Sequence, residues 1–298
     1  MLQPKNPTPA VIDSSKCTQC GICVKNCPRH IFQFREGKVP RVRTDALCFD
    51  CGHCVALCPV DAVSLPSGGP SRQTALSSDW NLSVPQVEQF MKSRRSCRCY
   101  AETPPSKELL QKIIAISAYA PSGQNWPLVK WLVINDRTAV QQIARRAAKV
   151  LHILYPHLFR SGRIFSAQAR KMYDSCPDYC VDLANEYKEM SEAMKEGRDT
   201  ILYNAPALVI TYGDPRNRMT HDACITALAY FDLAANALGL GTCWSGTLET
   251  LADLDPMFFR SFGLPRHQRI IGVMMAGYPE YPFRRIPQRR PPEIRWMP

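Results

Sequence analysis

The chain has no window of about 18 uninterrupted apolar residues, the least a membrane-crossing helix needs. Its opening, MLQPKNPTPAVIDSSK, has no apolar centre of the kind an export signal carries. Both absences point to a cytoplasmic protein. Thiols stay reduced there, so cysteines are expected to ligate metal or serve catalysis rather than form disulfides. No G-x-G-x-x-G follows a predicted strand. GLGTCWSG at 239–246 comes after a helix and has the wrong spacing, which argues against a dinucleotide-binding domain. The six histidines (His30, His53, His152, His157, His221, His267) show no ligand-like spacing, and no triad stands out, so no side-chain nucleophile is expected. Acidic side chains are in deficit, 26 against 37 Lys and Arg, leaving a net charge of +11. Such a balance suits an anionic cofactor, an acidic partner or nucleic acid. Outside the segments described below there is no aromatic–basic stacking platform, so nucleic acid is not expected.

What is present begins with size. The 298 residues, 45% of them hydrophobic, suffice for one large domain or two ordinary ones with a sizeable core. There are 14 cysteines, and eight stand in two copies of one phrase. Cys17, Cys20, Cys23 and Cys27 before Pro28 form C-x2-C-x2-C-x3-C-P, and Cys48, Cys51, Cys54 and Cys58 before Pro59 repeat it. Thiolates are soft ligands for iron–sulfur clusters and zinc. Zinc takes four ligands, commonly as two pairs, not two triplets plus singles. Three cysteines at this spacing wrap one cluster, while the fourth, beyond the turn, serves the other cluster in two-cluster proteins. Cys17, Cys20, Cys23 and Cys58 are therefore assigned to one [4Fe–4S] cluster, and Cys48, Cys51, Cys54 and Cys27 to the other. Gly21 and Gly52 stand where the backbone must approach the inorganic core. IFQF and AVSL, after the two copies, read as short strands. Residues 10–66 resemble bacterial 2[4Fe–4S] ferredoxins, which move single electrons.

PSGGPSRQTALSSDW at 66–80 is a linker by composition. Beyond it the pattern turns to helices and buried strands. SVPQVEQFMKSRRS reads as a helix with Val84, Val87, Phe90 and Met91 on one face. SKELLQKIIAISAYA follows, with Ser106 as N-cap, Glu108 in the first turn and a stripe of Leu109, Leu110, Ile113 and Ile114. Residues 129–134, 207–212 and RIIGVMMAGYP are strands; 138–153, about 162–197 and DACITALAYFDLAANALGLG are helices, the last stopped by Gly239. Helices around a mixed sheet give an α+β architecture. The expected domains are a dicluster unit over 1–66, a linker over 67–83 and a second domain over 84–298.

RRSCRCY (94–100), APSGQNWPLVKWLVI (120–134), GLGTCWSG (239–246) and GYP…RRIPQRRPPEIRW (277–296), in that order, resemble the FMN-dependent nitroreductase family, and with the first segment its ferredoxin–nitroreductase fusions. The resemblance spans nearly the whole chain and implies FMN beside two [4Fe–4S] clusters. It assigns Arg94, Arg95, Ser96 and Arg98 to the FMN phosphate, ribityl and pyrimidine end, where arginine forks and a hydroxyl suit a phosphate. It assigns Pro121, Ser122, Gly123 and Asn125 to a loop that touches the flavin of the partner subunit. Pro127-Leu128 stand where the family usually has Gln-Pro, so a side-chain hydrogen bond near the flavin is expected to be lost or replaced. Trp244, Ser245 and Gly246 fall on the flavin N5 side. Arg285 and Arg289 match basic residues that reach the phosphate, with Arg284 or Arg290 as substitutes.

The implied activity is an FMN oxidoreductase that passes electrons from the clusters to FMN and on to an organic acceptor such as a nitroaromatic. Within the same fold the alternatives are an ene-type reductase or dehydrogenase on another substrate, and an electron-transfer adaptor. The donor is an external ferredoxin, flavodoxin or NAD(P)H, and the assembly a homodimer. Of the other six cysteines, Cys97, Cys99 and Cys224 are given no role, and Cys243, beside the presumed flavin loop, reads as packing rather than a nucleophile. Cys176-x3-Cys180 could form a redox pair, but reads rather as two buried thiols one helical turn apart. Residues 150–200 are expected to cover the site as a helical insertion.

Overall fold

The computed structural model describes residues 10–34, 36–65, 74–159 and 176–297, side chains excepted at 157–159, 177 and 180. The backbone divides into two units. Met1–Leu82 with Ser122–Pro127 make the first, and Ser83–Pro121 with Leu128–Pro298 the second.

In the first unit the repeated phrase folds the same way twice. β1 (Val11–Ile12), α1 (Ile22–Asn26) and β2 (Phe32–Gln33) surround the first copy; β3 (Arg41–Val42), α2 (His53–Ala56) and β4 (Val63–Ser64) surround the second. β1 pairs antiparallel with β4, and β2 with β3, so each ribbon joins one copy to the other. Gly21 (φ 72°) and Gly52 (φ 79°) open the two helices in the left-handed conformation, and Gln19 (φ 61°) and Asp50 (φ 50°) adopt it two residues earlier. Left-handed backbone on both sides of the middle cysteine curls the ligand loop tightly, and glycine takes it without a Cβ penalty. Ile31, Phe32, Val55, Val63 and Leu65 pack around Cys48 and Cys54 as a small core. The strands read from IFQF and AVSL are β2 and β4; β1, β3 and the two short helices were not anticipated. Of the expected linker, residues 66–73 lie outside the described residues, and Ser78–Trp80 form a 3-10 turn.

The second unit is built on a sheet of β5 (Lys130–Ile134), β6 (Ala207–Gly213), β7 (Gly241–Trp244) and β8 (Arg269–Gly277), in the order β5-β6-β8-β7. Each pair runs antiparallel, which corrects the expectation of a mixed sheet. The parallel element is an isolated bridge between Ser96 and Thr242.

Side chains alternate across a strand, and here both faces are covered. Leu208, Ile210, Val273 and Met275 face a core that includes Val140, Ala144, Ala147 and Leu151 of α5 (Arg137–Phe159) and Tyr187 of α6 (Pro177–Lys195). Val209, Met274 and Ala276 face Leu110 and Ile113 of α4 (Lys107–Ser117) and Leu228, Phe231 and Ala235 of α7 (Met219–Ala237). Burial on both sides is why β6 and β8 read as unbroken apolar runs. α8 (Gly246–Leu254) and α9 (Pro256–Arg260) follow β7.

Local signals hold where they were read. Ser106 Oγ accepts from the Leu109 N–H at 3.1 Å, and Glu108 sits in the first turn of α4. Gly239 adopts φ 81° just past α7. The helix expected over about 162–197 includes α6; its stretch through 175 lies outside the described residues. α3 (Val84–Ser93) forms behind a Ser83–Gln86 capping box, and none of its side chains is buried among the described residues. Val84, Val87 and Met91 are all exposed.

Candidate functional site

The repeat produces two groups of thiols. Cys27, Cys48, Cys51 and Cys54 line one cavity, so the fourth cysteine of the first copy joins the triplet of the second. Burial, reinforced by the neighbouring Cys48, Cys51 and Cys27, pushes the Cys54 thiol up to about 12. Cys48 is pushed up as well, first by burial. A thiol held protonated in this way becomes a thiolate against a bound cation, so metal binding releases its proton. Polar groups also stand against the sulfurs: the Asp50 N–H donates to Cys48 Sγ at 3.4 Å, and His53 Nδ1 lies 3.2 Å from Cys51 Sγ. Cys17, Cys20 and Cys23 form the second group, in which burial, then the other two thiols, raise Cys23. Cys58 packs in the same small core and accepts the Ala62 N–H at 3.3 Å. Among the described residues no three His, Cys, Asp or Glu side chains converge on a single-ion site.

The second unit carries a basic cavity of about 620 Å³. Lys92, Arg94 and Arg95 line it from the end of α3, and Arg289 and Arg290 from the extended tail. The structure thus gathers Arg94, Arg95 and Arg289; Arg284 and Arg285 lie outside this cavity. The arginine segment is fixed from beneath. Ser96 bridges to Thr242, the Cys97 N–H donates to the Thr242 carbonyl at 2.8 Å, and Arg94 Nε lies 3.5 Å from the buried Asp232 Oδ2. Gly241 permits this approach. A Cβ there would stand 2.7 Å from Cys97 Cβ.

Arg98 faces a different cavity, of about 310 Å³, with Tyr203, Trp244, Ser245 and Gly246 in its wall. Its guanidinium lies 5.7 Å from the centre of the Tyr203 ring. Trp244 is 36% exposed, so it lines the opening rather than filling the core. Ser245 precedes α8 as its N-cap, but its buried hydroxyl caps nothing and has no hydrogen-bond partner among the described residues; the Thr200 hydroxyl in the same wall is equally unpartnered. Buried hydroxyls of this kind ask for a partner. Tyr179, Glu186, Tyr187 and Met190 of α6 line the same cavity.

The 121–125 loop is divided. The Pro121 carbonyl accepts from Thr226 Oγ1 at 3.1 Å in the second unit. Ser122, Gly123 and Asn125 fall in the first, where Gln124 (φ 59°) and Asn125 (φ 57°) are both left-handed. Asn125 Nδ2 donates to the carbonyls of Asp50 at 2.9 Å and Phe49 at 3.3 Å, just before Cys51 in the chain. Cys243 is buried, as a packing residue is; Cys97 and Cys224 are buried as well, and Cys99 is exposed. Cys176 precedes α6 and is exposed; the side chain of Cys180 lies outside the described residues.

Asp232, Thr242, Thr200 and Tyr203 were missed in the sequence. The one local hint is that Asp232 is an acid flanked on α7 by Leu228, Phe231 and Ala235, all buried; its partners leave no mark in the local sequence.

A sheet covered by helices on both faces, an arginine-lined cavity at the end of one helix, and a thiol-bearing unit with two ligand loops define a redox protein of two parts. A family model described as the Nitroreductase family matches residues 91–278, and one described as a 4Fe-4S dicluster domain matches 16–63. The chain belongs to the nitroreductase family and carries a 4Fe-4S dicluster domain at its N-terminal end. It is similar in fold to a nitroreductase with bound FMN from Bacteroides fragilis NCTC 9343 (22% identity, 71% of this chain and 98% of that one, TM-score 0.54). A nitroreductase with bound FMN from Desulfitobacterium hafniense DCB-2 matches at 20% identity over 69% of this chain and 92% of that one, with a TM-score of 0.45. No curated protein matches.

Proposed function

We propose that this chain is an FMN-dependent oxidoreductase that takes electrons from an external donor through two [4Fe–4S] clusters and reduces a small organic acceptor such as a nitroaromatic. The observation that carries the reading is the gathering of Arg94 and Arg95 with Arg289, far from them in sequence, around one cavity, with Arg98, Trp244 and Ser245 around another. The donor chemistry fits a ligand that is anionic at one end and planar at the other. Guanidinium forks match phosphate oxygens, and the unpartnered Ser245 hydroxyl offers a planar heterocycle a hydrogen bond. When bound, the clusters supply single-electron relay and FMN supplies two-electron storage and hydride delivery.

The chain's own residues bind and shield. Arg94, Arg95 and Arg289, with Ser96, hold the phosphate end. Arg98, Trp244, Ser245 and Gly246 hold the ring end. Tyr203 and the α6 residues Tyr179 and Met190 exclude water from the acceptor's side. Pro121, Ser122, Gly123 and Asn125 act across a homodimer. The exposed Val84, Val87 and Met91 of α3, together with Phe283, Ile286 and Trp296 of the tail, support that assembly, since they leave apolar surface for a second copy. Cys17, Cys20, Cys23 and Cys58 hold one cluster, and Cys48, Cys51, Cys54 and Cys27 the other. The working domains are 1–66 for the clusters and 84–298 for the flavin, with 67–83 as linker, and the compartment is the cytoplasm. Among the described residues no helix is long and apolar enough to cross a membrane.

Anaerobic purification with iron, sulfide and flavin counts tests the cofactor content. The expected result is about eight irons and one FMN per chain. Stopped-flow mixing of the reduced protein with a nitroaromatic tests the acceptor: prompt flavin reoxidation is expected, and none would point to an electron-transfer adaptor.

A further inference from the structure

We propose that Asp232 is the positioning residue of the phosphate-binding arginine: it grips Arg94 through Nε and so turns the forked end of the guanidinium toward the basic cavity. The proposal rests on the FMN reading above and adds a residue to it.

Asp232 lies on α7, 6% exposed, beneath the arginine segment. Its two carboxylate oxygens have separate tasks. Oδ1 accepts the hydroxyl of Thr242 on β7, and Oδ2 faces Arg94 Nε at 3.5 Å. Thr242 also bridges to Ser96 and accepts the Cys97 N–H through its carbonyl. Backbone and side chain of the arginine segment are therefore tied to the same strand residue, one directly and one through the carboxylate. A buried carboxylate is costly unless both oxygens are used, and here they are. An arginine held at Nε has its two Nη groups left for a ligand, and the cavity that Arg94 lines also contains Lys92, Arg95, Arg289 and Arg290. Asp232 lines no part of that cavity, so it meets no ligand. It acts through Arg94 and offsets one of the crowded positive charges.

The test is a binding measurement on the full-length protein after removal of flavin, using FMN and riboflavin as probes and flavin fluorescence as readout. The two probes differ by the phosphate. Wild type is expected to prefer FMN. Asp232→Asn is expected to lose about tenfold in FMN affinity with riboflavin affinity unchanged, because the fork is no longer aimed. In an Arg94→Ala background the same substitution should change FMN affinity by less than about twofold, since the effect has lost its carrier.

Thr242→Val, which keeps the carboxylate but removes its hydroxyl partner, should weaken FMN in the same direction by about two- to fivefold. It carries the test if Asp232→Asn does not fold. Equal losses for FMN and riboflavin, an unchanged FMN preference in Asp232→Asn or, in its absence, in Thr242→Val, or a full effect in the Arg94→Ala background would overturn the proposal alone. A wild type that binds no FMN would overturn the functional reading and this proposal with it.

Discussion

Cys27 serves the cavity of the other copy, and that arrangement makes a sharp prediction at the residue scale. Cys27→Ser should remove the cluster of Cys48, Cys51 and Cys54 while sparing the one nearer in sequence. Iron content should fall from about eight to about four per chain; loss of the Cys17–Cys23 cluster instead would reverse the assignment. Asp232 gives a pH prediction. Burial raises its carboxyl above the ordinary range, against the opposing pulls of Thr242 and Arg94. The folded protein thus holds this proton more tightly than the unfolded chain does. Its stabilising contribution is present below the ordinary carboxylate pKa and is lost as pH rises through the raised value. Relative to Asp232→Asn, which cannot ionise, wild type should lose stability between acid and neutral pH in urea melts. The cysteines were legible because their chemistry is written in local spacing. Asp232 was not, because its partners Arg94 and Thr242 come from distant parts of the chain and meet only when β7 passes beside the arginine segment.

At the scale of elements, α4 and β8 were readable for opposite reasons. α4 announces its start with Ser106 and buries a stripe at helical spacing, whereas β8 is apolar throughout because both faces are covered. Ser106→Ala should cost about 1 kcal/mol through the lost cap. Ile113→Ala, which empties a fully buried site between α4 and the sheet, should cost about 2–5 kcal/mol; denaturant midpoints at constant m check both. β7 escaped the reading because it has four residues and follows a glycine that ends a helix. Its pairing partners, β8 and the Ser96 bridge, supply what local pattern does not. Gly241→Ala should disturb this strand most directly, since the added carbon meets both Cys97 and Pro279. The face of α3 was read correctly as apolar, but an apolar face says nothing about what covers it.

For the whole molecule, the order of the two units was legible from composition alone, since a cysteine-dense segment, a Pro/Ser/Gly-rich joint and a helix-rich remainder follow one another. The antiparallel sheet was not, because strand direction depends on connections that hydrophobic periodicity does not encode. A homodimer is expected by light scattering, and Val87→Glu with Met91→Glu on the uncovered α3 face should shift it toward monomer without lowering iron content. In the small unit, β1 finds its mate in β4 and β2 in β3, just as the triplet of Cys48, Cys51 and Cys54 finds Cys27 of the other copy. A peptide bearing one copy would have two strands without mates and a ligand set one short, and only a twin would supply both. Geometrically the unit is a symmetric pair fused end to end, so neither half can be discarded without disarming the other.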